Sequence, residues 1–166
     1  TPAEASWKAG VDVLCLGATK NGAMMLEAVV FFDLALAEDF AYRRMHGGQL
    51  LSKSRYLGAQ MLAYLEGGLW LENASRANAL ATKLAKGLTA GGKVRIPNPV
   101  QANEVFAVLP KAMFDRLQAS GAKFYDWMPD SLGDGISDDE VFSRFVLSFA
   151  TPEEEVDAFV KLVAQG

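Results

Sequence analysis

Histidine and cysteine are nearly absent from this chain: His46 and Cys15 are the only ones in 166 residues. A single cysteine rules out an internal disulfide framework and fits a reducing compartment, with the cytoplasm as the expected setting. One residue of each type also leaves a Cys/His zinc site without ligands, and no metal is expected. Long apolar runs are equally scarce. The longest strongly apolar stretch, 23–32, contains Glu27 and is too short to span a bilayer. No secretory pattern opens the sequence. There is no basic excess either: the net charge is −4 and the isoelectric point is near 5.0. Apart from Arg43-Arg44 the basic residues are scattered, so no nucleic-acid surface is expected. The chain opens on Thr1-Pro2-Ala3-Glu4 rather than on methionine. That opening reads as a helix entry, with a threonine cap, a first-turn proline and an acidic third residue, and is expected of a chain that begins in mid-protein.

What is present is ordinary globular material, 51% hydrophobic and 22% charged. A chain of this length buries roughly 70% of the surface it exposes unfolded. A short helix is expected over 3–8, then a buried strand over 11–16, a turn over 17–22 and a second apolar strand over 24–32. Asp33 is placed to cap a helix running to about Met45, with His46-Gly47-Gly48 breaking it. Helices follow at 52–65 and, after Gly67-Gly68, up to a stop at Gly91-Gly92. Trp70, Ala74, Ala77, Ala81, Leu84 and Leu88 step by four and three along the second of these, a sustained apolar face. The remainder alternates short strands (93–96, 104–109, 123–127, 141–149) with a helix over 111–120. A last helix is entered through Thr151-Pro152-Glu153-Glu154, with Thr151 as the cap, and has Val156, Phe159, Val160 and Val163 on its buried stripe. The fold class is therefore α/β. Residues 1–50 form the end of a larger layered domain, 51–90 the connecting helices and 91–166 a small α+β domain. A sheet of two strands is marginal by itself, so the first part is expected to need partner elements.

Two residues carry candidate chemistry. Lys20 follows an apolar strand inside Gly17-Ala18-Thr19-Lys20-Asn21-Gly22. A strand end fixes the backbone, and a partly desolvated lysine amine can form a Schiff base. Thr19 has a hydroxyl to offer a phosphate. From spacing alone, Lys20 is equally a solvated turn lysine. Arg144 lies in an otherwise apolar strand, on the face of Phe142, Val146 and Ser148. An arginine there needs an anion: either a structural carboxylate or a ligand carboxylate gripped by two parallel hydrogen bonds. Cys15 reads as strand-core packing. Phe124, Tyr125 and Trp127 read as small-domain core, His46 as a loop or interface residue, and the acidic stretch 130–140 as a solvated loop.

The segment Val11-Asp12-Val13-Leu14-Cys15-Leu16-Gly17-Ala18-Thr19-Lys20-Asn21-Gly22, followed by Glu27-Ala28-Val29-Val30-Phe31-Phe32, resembles the lysine segment of the low-specificity L-threonine aldolases. The phenylserine-aldolase branch of these β-eliminating, fold-type-I pyridoxal-phosphate enzymes is the nearest likeness. The resemblance continues through Ser52-Lys53-Ser54-Arg55-Tyr56-Leu57 and Leu69-Trp70-Leu71-Glu72-Asn73-Ala74, and reaches Arg144-Phe145-Val146-Leu147-Ser148-Phe149-Ala150-Thr151, in collinear order. It implies the end of a fold-type-I large domain followed by the small C-terminal domain. It implies that Lys20 holds pyridoxal 5'-phosphate, with Thr19 beside it, and that Arg144 binds the substrate α-carboxylate. Arg55 and Lys53 compete for a part near the cofactor phosphate or a neighbouring subunit.

The implied reaction is cleavage of β-hydroxy-α-amino acids such as threonine or phenylserine to glycine and an aldehyde. The implied partners are an amino-acid substrate, a second copy of the protein in a dimer or tetramer, and the missing N-terminal half. That half would contain the phosphate-binding loop, the ring-stacking histidine and the acidic partner of the pyridine nitrogen, so the 166 residues alone are expected to be inactive. Other readings keep the same lysine and arginine for β-elimination or racemisation, or make the chain a piece that only packs and dimerises.

Overall fold

The computed structural model describes residues 1–127 and 135–165, in two compact units, Thr1–Leu71 and Glu72–Gly166.

In the first unit, strand β1 (Val13–Gly17) pairs antiparallel with β2 (Glu27–Phe31), from Val13↔Phe31 to Gly17↔Glu27. The Asp33 side chain accepts the Ala35 N–H at 2.9 Å and so caps a 3-10 turn over Leu34–Ala37 rather than the helix expected to run to Met45. Helix α1 (Phe40–His46) follows and stops at Gly47, whose N–H reaches the Arg43 carbonyl at 2.8 Å. Helix α2 (Arg55–Leu65) then leads through Glu66–Gly68 into α3 (Leu69–Thr89). The core here is small: Ala18, Leu26 and Tyr64 are buried, with Ala23, Leu57, Met61 and Trp70 partly so.

The two strands form where the apolar runs predict, but they are not buried. Leu14, Leu16, Ala28 and Val30 are half-covered, whereas Val13, Cys15 and Val29 face outward and are exposed. Cys15 is therefore not core packing, contrary to expectation. Its run is apolar on both faces, and a two-stranded sheet within this unit has too little material to cover both.

The second unit has a three-stranded antiparallel sheet in the order β3-β5-β4, built from β3 (Glu104–Pro110), β4 (Tyr125–Asp126) and the central β5 (Glu140–Val146). Helix α4 (Lys111–Ala119) follows β3, and α5 (Glu153–Ala164) closes the chain. Period two sorts the side chains. Val105, Ala107 and Leu109 of β3 join Phe145 and Leu147 in one cluster with Leu80, Leu84 and Leu88 of α3, Leu117 of α4 and Val156 and Val163 of α5. The stripe read from α3 is this buried face, from Ala77 to Leu88. Its wet face also ties down α5: Lys83 bridges Glu153 at 2.7 Å and Asp157 at 2.6 Å. Those two carboxylates, Asp157 first, hold the lysine above its ordinary pKa.

Three local expectations are revised. The strand over 93–96 reduces to one bridge, Arg95↔Val108, because Pro97 and Pro99 have no N–H to extend the ladder. Thr151 does not cap α5. Its hydroxyl accepts the Ser148 N–H at 3.0 Å, and the cap position falls to Pro152, which has no polar side chain to offer. Of the three aromatics expected in the core, only Phe124 is there, against Phe114, Phe145 and Phe159. Tyr125 and Trp127 lie on exposed surface, since β4 is an edge strand of two residues. Residues 130–134 of the acidic stretch lie outside the described residues. At its far end Glu140 pairs with Arg95 at 2.8 Å.

Candidate active site

Lys20 sits in the 3-10 turn Thr19–Asn21 that leaves β1. Few residues make this turn, but it is held at many points. Ala18 N–H and Thr19 N–H both reach the Leu26 carbonyl, at 3.0 and 3.2 Å, and the Ala18 carbonyl accepts from Asn21 and Ala23. The Thr19 hydroxyl accepts the Leu26 N–H at 2.9 Å and donates to the Leu26 carbonyl at 3.2 Å. Asn21 Nδ2 donates to the Tyr64 hydroxyl at 2.6 Å and to the Trp70 carbonyl at 3.0 Å. Gly22 closes the turn at φ 121°, a backbone region that side chains other than hydrogen rarely adopt. Ala18 and Leu26 are buried beneath, while Lys20 is exposed. No described residue forms an ion pair or hydrogen bond with its amine. Within this chain the amine is not desolvated as expected, but its fixed backbone and lack of a resident partner fit a covalently held aldehyde cofactor. Thr19 differs from expectation in what its hydroxyl does. Its proton goes to Leu26, and a phosphate would have to compete for it.

Arg144 lies in the second unit, in the middle of β5, opposite Phe106 of β3 and Tyr125 of β4. Its side chain is half-buried. The guanidinium carbon is 3.9 Å from the centre of the Trp127 ring, a cation–π stack. Nη1 is 3.6 Å from Glu104 Oε1, diagonally across the β3–β5 pair. That distance is well beyond the ~2.7–2.9 Å of a tight charge-assisted hydrogen bond. Among the described residues no other group bonds the guanidinium. Arg144 also lines an open pocket of about 660 Å³, with Lys123, Tyr125, Phe145, Val146 and Phe159 among its walls.

The lesser candidates are surface groups. Arg55 opens α2 and lies over Tyr56 at 4.8 Å. Lys53 is exposed, with φ 58°. His46 ends α1, stacked on Tyr42 at 5.9 Å. Sequence reading missed Asn21, Tyr64, Glu104 and Trp127 as parts of these arrangements. Asn21 and Tyr64 are 43 residues apart, and Glu104 and Arg144 meet only through sheet pairing, so no local pattern signals either contact.

No protein-family model matches the chain. Two curated proteins do: the low specificity L-threonine aldolase of Pseudomonas sp. (strain NCIMB 10558) at 42% identity and that of Pseudomonas aeruginosa at 43%, each over 156 residues. Each match takes in 94% of this chain and 42% of the relative, so the chain spans less than half the length of these proteins. The solved threonine aldolase of Leishmania major superposes with a TM-score of 0.83 at 28% identity, over 93% of this chain and 43% of that one. The chain fits the C-terminal half of a threonine aldolase. A glycine decarboxylase (P-protein) matches in fold at TM-score 0.50 and 20% identity, over 92% of this chain and 34% of that one. These are fold-type-I enzymes, so the fold read from the threonine-aldolase resemblance holds.

Proposed function

We propose that this chain is the C-terminal portion of a pyridoxal-phosphate-dependent aldolase that cleaves β-hydroxy-α-amino acids to glycine and an aldehyde. The observation that carries the reading is Lys20: an exposed, unpaired amine on a turn pinned at Leu26, Tyr64 and Trp70, in a chain 42% identical to low specificity L-threonine aldolases. When bound, pyridoxal phosphate supplies the sink for the electrons released as the Cα–Cβ bond breaks. This chain's residues do the holding. Lys20 takes the cofactor through its amine and gives way to the substrate amine. Arg144 fixes the α-carboxylate and so orients the bond to be broken. Thr19 keeps the turn closed rather than binding phosphate itself.

The remaining parts of the site, including the base for the β-hydroxyl, belong to the N-terminal half. The 166 residues alone are inactive on this reading. Residues 1–50 serve as the end of the cofactor domain, 51–90 as connecting helices and 91–166 as the small domain. The sheet face carrying Val13, Cys15 and Val29, and the exposed Met24, Leu34 and Leu62, support association with that half and with a second copy. An exposed lone thiol fits a reducing cytoplasm.

The test uses the intact protein. It should show the yellow absorbance of lysine-bound cofactor, and Lys20→Ala should abolish it. Retention of that absorbance in Lys20→Ala defeats the reading. Turnover of threonine and phenylserine, set against an amino acid with a β-leaving group, separates aldol cleavage from elimination.

A further inference from the structure

Arg144 is held in an unusual way for an arginine meant only to stabilise a sheet. A structural guanidinium normally forms short, paired hydrogen bonds to its carboxylate. Here Glu104 makes one contact at 3.6 Å, with both side chains about a third exposed. Exposed pairs of this kind are weak and easily given up. The firmer support is aromatic. Trp127 lies 3.9 Å under the guanidinium, and its backbone is fixed to the sheet, the main-chain N–H on the Phe142 carbonyl at 2.8 Å. Its ring lies 6.3 Å from Phe106, which in turn stacks on Phe142. A stack on one face leaves the N–H edges of a planar guanidinium free, and those edges are what a carboxylate binds.

We propose that Trp127 and Glu104 are positioning residues for Arg144: the indole sets the guanidinium plane, and the Glu104 carboxylate is a weak resident partner that the substrate α-carboxylate displaces. This rests on the reading that Arg144 takes that carboxylate. Glu104 then works against substrate affinity. It neutralises the arginine at rest and lies beside the incoming anion as a like charge. Removing the ring and removing the charge therefore have opposite effects.

The experiment measures KM and kcat for L-threonine with the intact, cofactor-loaded protein and its variants Arg144→Lys, Trp127→Ala, Trp127→Phe and Glu104→Gln. Trp127→Ala is expected to raise KM roughly three- to tenfold, by more than it lowers kcat, and Trp127→Phe to recover most of that loss. Glu104→Gln is expected to lower KM about two- to fivefold. A Trp127→Ala KM within error of the parent overturns the proposal. So does a Glu104→Gln KM that is unchanged or raised, and this exposed, isosteric change does not depend on the fate of the tryptophan variants. Arg144→Lys tells the two failures apart. If it raises KM while the other variants do not, only the present inference falls. If it leaves KM unchanged, the carboxylate reading falls and takes this inference with it.

Discussion

The two units solve the same problem with different success. Among the described residues the second gathers fifteen buried residues into one cluster, whereas the first has three. The first also exposes large apolar groups that a finished domain hides, among them Met24, Leu34 and Leu62. The first unit's sequence is no less apolar than the second's. The second unit has three helices to lay against one sheet face, so its apolar residues have somewhere to go. The first has two strands that are apolar on both faces and only one side half-covered. An unfilled hydrophobic demand is thus a property of the layer count, not of the composition.

The sharpest break between the units should come from cavities. Leu117→Ala, at a fully buried site, is expected to cost about 2–5 kcal/mol in urea unfolding of the 166-residue chain. Val29→Ala, on the open sheet face, should stay within about 0.5 kcal/mol. Equal losses would erase the contrast.

Close packing gives the next effect. Gly87 lies inside α3, where alanine is normally favoured by about 1 kcal/mol. A Cβ there would collide with the Val160 methyls of α5. Gly87→Ala should therefore destabilise by about 1–3 kcal/mol, read from the same urea midpoint, and Gly87→Ala with Val160→Ala should recover part of it.

In the first unit the polar strut matters more than the apolar sheet. Asn21→Ala leaves the buried Tyr64 hydroxyl without the amide and is expected to cost about 1–2 kcal/mol. Amide exchange at Asn21 and Ala23 should speed up with it.

The smallest effect is electrostatic. The Arg95 guanidinium, followed by Ser137, holds the Glu140 carboxyl below its ordinary pKa. A depressed carboxylate stabilises the fold above its unfolded pKa, and that contribution is lost as pH falls through its folded pKa. Glu140→Gln should flatten the acid limb of the stability curve slightly, as followed by urea midpoints from pH 6 down to pH 3.

What could be read in the sequence follows the same division. The α3 stripe and the Gly47 stop were legible because each is settled within a few residues. Strand positions in the first unit were legible too, but their burial was not, since exposure of Cys15 depends on what covers the sheet. Lys20 stood out by its place after a strand and by family likeness. The bonds that fix it reach Leu26, Tyr64 and Trp70, and no short window contains them. Arg144 announced a need for an anion. The facts that its resident carboxylate is Glu104 and that its support is Trp127 are consequences of strand pairing.

The hairpin around Lys20 also limits how this part of the protein can change length. Its last pair is Gly17↔Glu27, and the turn begins at the next residue but one. Adding or deleting one residue in β1 would turn the following side chains to the opposite face of the ladder and carry the amine with them. Insertions and deletions in β1 are therefore tolerable only if β2 changes in step, so the two strands must vary as one unit if the lysine is to keep its direction.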